Sequence, residues 1–128
     1  MEKNLLEVLF WSLNRRKEES RSPIRDTKAS MFSDVVQYLE DNVDAALTVE
    51  DICARMAIGR TTLKELFKTY TGAGVMKYYN VLRIRRAMAL IGEGRPMSEI
   101  SEIMNFSSQN YFSSFFKRET GTSPSKYN

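Results

Sequence analysis

Two segments of the sequence open with polar side chains suited to hydrogen bonding and close with aromatic ones. In the later segment the amides of Gln109 and Asn110 can donate and accept at once, which matches the edge that adenine presents in the major groove of duplex DNA. In the earlier segment Lys64 suits the acceptor atoms of guanine, Thr61 a thymine methyl group, and Glu65 the amino group of cytosine. These residue types could read bases, provided that the fold presents them on a protruding surface.

Other chemistries have little support in the composition. The 128 residues include no histidine and one cysteine, Cys53, so the commonest general base, the commonest zinc ligand and an intramolecular disulfide are all lacking. The sequence also has no glycine-rich phosphate loop and no paired carboxylates in an apolar setting. We therefore expect no enzyme, no metal and no cofactor, and a reducing, cytoplasmic location.

The charge is unevenly distributed along the chain. The net charge of +3 is only mildly basic. Residues 31–58, however, contain six acids and one base, whereas residues 60–95 contain eight bases and two acids. A basic central stretch is compatible with a polyanionic partner, and the acidic stretch equally with a protein partner.

An internal repeat indicates how the polar residues are positioned. Three dipeptides, Phe67-Lys68, Thr71-Gly72 and Lys77-Tyr78, recur 49 residues later as Phe116-Lys117, Thr120-Gly121 and Lys126-Tyr127. Upstream, Ile52, Met56 and Ile58 recur 48 residues later as Ile100, Met104 and Phe106. The second copy therefore has one extra residue in or just after a turn, where insertions are tolerated.

Helical spacing of apolar residues surrounds this repeat. A first helix, capped by Ser30 or Ser33, buries Phe32, Val35, Val36, Leu39 and Val43. Thr48 and Asp51 form a capping box for a short helix. A long central helix over residues 74–93 has two apolar stripes, so we expect it to lie between two cores.

Each copy of the repeat predicts a helix, a tight turn and a second helix. One face of the second helix packs through Leu63, Leu66 and Phe67 in the first copy and through Phe112, Phe115 and Phe116 in the second. The opposite face is then free to enter a major groove. The predicted base-reading residues are Arg60, Thr61, Lys64, Glu65, Ser108, Gln109, Asn110, Ser113 and Ser114. Lys68, Lys117 and Arg83 are predicted to contact phosphates, although Arg83 could instead pair with an acid such as Asp51.

Residues 30–128 resemble the DNA-binding domain of the AraC/XylS family of transcription regulators. The resemblance rests on Leu63-x-x-Leu66-Phe67-Lys68-x-x-x-Gly72, on Tyr78-x-x-x-x-Arg83-Ile84-x-x-Ala87, on Ile100, Phe106-Ser107, Tyr111-Phe112 and Phe115-Phe116-Lys117, and on the tail from Gly121 to Tyr127. The sequence departs from the family at the small alanines, which are Cys53 and Ser101, at the turn glycines, which are Ala57 and Asn105, and at one N-cap serine, which is Gly59. The resemblance implies an all-α, homeodomain-like fold of about seven helices, with two helix-turn-helix units (about 48–72 and 97–121) joined by the central helix.

The start of the chain has a different composition. Residues 1–15 predict an apolar helix, too short to span a bilayer and without the features of a secretory signal. Residues 16–29 have the composition of a charged linker. The helix is either a short extension or the remnant of an upstream sensor and dimerisation domain, which the family usually has, and its leucine stripe favours the remnant.

These observations predict sequence-specific binding of double-stranded DNA by a transcription regulator, with activation as the family's commoner outcome. RNA polymerase and a second copy of the chain, joined through the N-terminal helix or the upstream domain, are the further expected partners. The alternative is a helical adaptor that binds proteins rather than DNA. Two assignments stay open: Tyr111 as a core or a stacking residue, and Arg85, Arg86 and Arg95 as solvated charges or DNA contacts.

Overall fold

A computed structural model describes residues 27–127, and this part of the chain contains seven helices and no strand. The helices are α1 (Thr27–Asp41), α2 (Val49–Met56), α3 (Arg60–Thr71), α4 (Val75–Gly92), α5 (Met97–Ile103), α6 (Gln109–Thr120) and α7 (Pro124–Tyr127). The all-α prediction with two helix-turn-helix units and a long central helix is confirmed. The predicted N-terminal helix and most of the predicted linker lie outside the described residues.

The helices form two compact units. The first unit contains residues 27–41 and 48–78, and the second contains residues 42–47 and 79–127. The central helix α4 therefore begins in the first unit and continues into the second. Residues 42–47, the 42–47 segment, connect α1 to α2 in the chain but belong to the second unit.

The helix starts agree with the sequence at α2 and differ at α1. Thr48 Oγ1 accepts from the Asp51 backbone N–H at 3.1 Å, and Asp51 Oδ2 accepts from the Thr48 N–H at 2.9 Å, so the capping box is present. The predicted caps Ser30 and Ser33 are wrong, because α1 already begins at Thr27 and both lie inside it. The earlier start is favoured by Ala29, which extends the buried face of the helix by almost one turn.

The two helix-turn-helix turns share one backbone conformation. Ala57 and Asn105 both adopt the left-handed region, with φ of 58° and 61°. In each copy the following residue donates its N–H back to the first helix, from Ile58 to the Cys53 carbonyl at 3.2 Å and, in the second copy, from Phe106 at 2.9 Å. This hydrogen bond terminates the first helix in both copies.

The extra residue of the second copy follows this turn. One residue, Ile58, separates the left-handed position from the N-cap Gly59 in the first copy. Two residues, 106 and 107, separate it from the N-cap Ser108 in the second. The insertion therefore lies where the sequence placed it, and the two second helices start at different distances from their turns.

Each unit has an aromatic core under its second helix. In the first unit the Phe32 ring lies 4.9 Å from Phe67 and 4.8 Å from Tyr70, measured between centroids. In the second unit Phe112 and Phe116 are fully buried and Phe115 is 4% exposed. They pack with apolar residues of α4 and α5 and with Met104, which follows α5; the residues of the two helices include Ile84, Ala87, Leu90, Ile91 and Ile100. The phenylalanines are core residues, as their helical spacing indicates.

Candidate nucleic-acid interface

In the first unit α3 divides cleanly into a buried and an exposed face. Leu63, Leu66 and Phe67 are at most 4% exposed and fix the helix on its neighbours. The five predicted DNA-contacting residues of this helix are all exposed: Arg60, Thr61, Lys64, Glu65 and Lys68. These five residues supply three cations, one acid and one hydroxyl within three turns of helix.

In the second unit α6 has the same construction with different polar chemistry. The predicted residues Ser108, Gln109, Asn110, Ser114 and Lys117 are exposed, and Ser113 is half-buried. Four neutral hydrogen-bonding side chains thus replace the charged ones of α3 over most of this surface. Because amides and hydroxyls both donate and accept, this surface can match base edges without relying on charge.

The two helices are capped differently. The Ser108 hydroxyl accepts from the Tyr111 backbone N–H at 3.0 Å, so this predicted base-reading residue also holds the start of α6. At the matching position Gly59 makes no side-chain cap. Tyr111 is 52% exposed, and its ring meets the edge of Phe106 at 5.9 Å. It therefore borders the polar surface of α6 with its ring only partly packed.

Arg60 is engaged by an acid at the edge of the interface. Its guanidinium forms an ion pair with Glu50, and this hydrogen bond is the main reason that the pKa of Glu50 lies below its ordinary value of 4.5. Because the folded pKa is lowered, the pair stabilises the fold above the ordinary value and is lost as the pH falls through the folded one. Both side chains are mostly exposed, so an exchange of Glu50 for a DNA group at Arg60 costs little.

Arg83 is buried in the second unit. Its side chain is 4% exposed, and its guanidinium donates to the Val43 carbonyl at 2.7 Å and to the Met104 carbonyl at 2.9 Å. The guanidinium also lies 4.5 Å from the centre of the Phe106 ring, and burial lowers its pKa. The guanidinium of Arg83 therefore binds backbone carbonyls rather than the suggested partner Asp51. Because it is occupied in this way, we do not include the expected phosphate contact of Arg83 in the proposed interface.

Arg83 is part of a wider anchorage of the 42–47 segment that the sequence did not predict. Arg86 binds Asp44 through two hydrogen bonds of 3.1 Å, and Asn105 Nδ2 donates to the Asp44 carbonyl at 2.8 Å. The Tyr79 hydroxyl donates to the Asn42 carbonyl at 2.7 Å. The turn of the second helix-turn-helix unit is thereby tied to this segment at Asn105.

Two of the arginines whose role the sequence left open, Arg86 and Arg95, form ion pairs within the protein. Arg95 binds Glu93 and Glu99, both at 2.7 Å, and the hydrogen bond to Glu93 is the largest cause of the raised pKa of Arg95.

Within residues 27–127 no three His, Cys, Asp or Glu residues are grouped as metal ligands would be. Among the helices of this range, none combines the length with the hydropathy that a membrane span requires.

A family model for a helix-turn-helix domain matches residues 52–128. The raffinose operon transcriptional regulatory protein RafR of Pediococcus pentosaceus is 29% identical over 125 residues, which is 97% of this chain and 45% of that protein. The transcriptional activator RhaR of Yersinia pestis is 30% identical over 73% of this chain and 32% of its own length. The chain thus spans less than half the length of these curated relatives.

Solved structures agree with the fold. An AraC-type regulator from Chromobacterium violaceum superimposes with a TM-score of 0.67 at 30% identity, over 76% of this chain and 88% of that one. The DNA-binding domain of AdpA, solved in complex with a target DNA, superimposes with a TM-score of 0.67 at 24% identity, over 75% and 87%. With its two matching helix-turn-helix units, the chain belongs to the AraC/XylS family of transcription regulators and corresponds to its C-terminal DNA-binding domain.

Proposed function

We propose that this chain binds duplex DNA sequence-specifically, with the start of α3 and the start of α6 reading base edges in two separate boxes. One observation carries the proposal: both second helices bury their aromatic face and expose the polar residues that can hydrogen-bond to bases. Lys68 and Lys117 are exposed at equivalent positions about two turns after the start of each helix, and we assign them to phosphates.

The direct experiment is selection of bound sites from a random duplex pool. Two enriched boxes about 10 bp apart are expected, because one helical turn separates successive major grooves on the same face of DNA. A pool without enrichment would contradict the proposal and favour a protein-binding adaptor.

Single-base operator variants then distinguish reading from positioning. Lys64→Ala should relax the preference at one or two base pairs of one box, and Gln109→Ala or Asn110→Ala should do so in the other. Each lost contact costs about 1 to 3 kcal/mol against the correct base. Lys68→Ala and Lys117→Ala are the matched controls, since they should weaken all sites alike. Uniform weakening by the first three variants would move the reading role to Arg60 and Ser108.

The proposal extends to the cellular role. We assign the chain to a cytoplasmic activator of transcription that has no enzymatic activity. RNA polymerase is the proposed protein partner. A homodimer formed through residues 1–15 or through an upstream domain would place two copies on one operator. Sedimentation of the chain with and without residues 1–15 tests the dimer.

A further inference from the structure

We propose that two lysines outside α3 bind DNA phosphates on the two walls of the major groove that α3 enters. They are Lys28 of α1 and Lys77 of α4. This inference rests on the proposed function, since it needs α3 in a major groove. It adds two residues, on two other helices, to the contacts assigned to the first unit.

The exposed face of α3 has two flanks. Successive residues of an α-helix are about 100° apart, so Thr61, Glu65 and Lys68 point in similar directions and form the centre of the exposed face. Thr62 and Thr69 follow on one side of that centre. Arg60, close to the buried Leu63, lies on the other side.

One flank is bordered by α1. A groove of about 550 Å³ runs between the two helices, and Lys28 and Met31 form its α1 wall. Its α3 wall begins at Thr62 and Thr69 on this flank and continues across the exposed face, past the predicted DNA contact Lys68, to Lys64. The stacking of Phe32 on α3 residues holds α1 at this flank. Lys28 lines this groove and is exposed.

The other flank is bordered by the start of α4. A second groove, of about 420 Å³, is lined by Arg60, Leu63 and Lys64 on the α3 side. Residues 74–77 line its opposite wall, and Lys77 is the exposed cation among them. Together the two linings contain five basic side chains, Lys28, Arg60, Lys64, Lys68 and Lys77, and a single acid, Glu65.

The dimensions of DNA favour phosphates as the ligands of the two flanking lysines. A major groove is about 12 Å wide and admits one helix, so the sugar-phosphate walls stand on both sides of that helix. Elements packed against it at about 8 to 10 Å between axes lie over those walls. A lysine on each flank can therefore reach a phosphate while α3 reaches the bases.

Salt dependence of binding is the measurement that tests this inference. Each phosphate contact contributes about 0.9 to the slope of log affinity against log salt, so Lys28→Ala and Lys77→Ala should each reduce the slope by about that amount and the double variant by about 1.8. Specific and non-specific sites should be affected alike, and single-base preferences should not change. Both residues are exposed, where a single interaction contributes little to stability, so the melting temperature should stay close to the parent value.

Two controls separate local contact from general charge. Ser30→Glu lowers the net charge by the same unit as Lys28→Ala, but Ser30 points about 200° away on α1, so the slope should be retained. Lys28→Arg and Lys77→Arg should also retain it. A parent slope in the double variant, alongside a reduced slope in Lys68→Ala, would overturn the inference and leave the proposed function standing. Absence of duplex binding by the parent would overturn both.

Discussion

The side chain of Arg83 has a structural role that its charge alone does not explain. The guanidinium of Arg83 bonds to two backbone carbonyls, of Val43 and Met104, that are 61 residues apart in sequence. A planar guanidinium supplies several fixed donors, whereas an ammonium is a compact charge on a flexible stem. A lysine here would retain the charge and leave one carbonyl unpaired.

Arg83→Lys should therefore lower the free energy of unfolding by about 1 to 3 kcal/mol, the cost of an unsatisfied buried polar group. Urea unfolding followed by circular dichroism measures this, and the salt slope of DNA binding should stay at the parent value. Arg85→Lys, at an exposed neighbouring position, should change stability by less than about 0.5 kcal/mol. Parent stability combined with a lower slope would restore the phosphate role of Arg83.

The left-handed Ala57 gives a second prediction about a single residue. A side chain costs about 1 to 2 kcal/mol in this conformation, and part of that is offset by the greater entropy of glycine in the unfolded chain. Ala57→Gly should therefore raise the free energy of unfolding by about 0.5 to 1 kcal/mol in the same urea experiment. Ala54→Gly, an exposed helical position of α2, is the matched control and should lower it by a similar amount. Destabilisation by both would contradict the assigned turn.

At the scale of elements, one buried phenylalanine in each unit packs the second helix against the core of that unit. Phe67 and Phe116 are fully buried repeat partners on α3 and α6. Truncating either to alanine should cost about 3 to 5 kcal/mol, because it removes packing and leaves a cavity. Tyr111→Ala, half-exposed on α6, should cost clearly less. Thermal melting of the three variants makes the comparison, and parent-like melting of both phenylalanine variants would refute the helix assignments.

Local signals in the sequence determine how much of these elements could be predicted. Capping residues and helical spacing located α2, α3 and α6, because those signals lie within one or two turns of the residues they organise. The 42–47 segment has no such signal, and Asp44 meets Arg86 and Asn105 across 42 and 61 residues. The composition of residues 16–29 placed Lys28 in a linker. In the structure it lines the groove between α1 and α3, and the α3 residues of that groove lie beyond residue 60.

At the scale of the whole molecule, one construction occurs twice with different reading chemistry. The first unit presents Lys64 among charged residues, and the second presents Gln109 among neutral ones. The two side chains belong to separate units with separate cores. Their contributions to binding should therefore be independent, since coupling requires contact or a shared network.

The double variant Lys64→Ala with Gln109→Ala tests that independence. Its loss of binding free energy on the selected operator should equal the sum of the single losses within about 0.5 kcal/mol. Titrations at one fixed salt concentration give the four affinities. Gln109→Ala with Ser113→Ala is the control pair, because side chains one turn apart on a helix are neighbours and should depart from additivity. Strong coupling between Lys64 and Gln109 would mean that the two units read a single shared box, and the two-box arrangement would have to be abandoned.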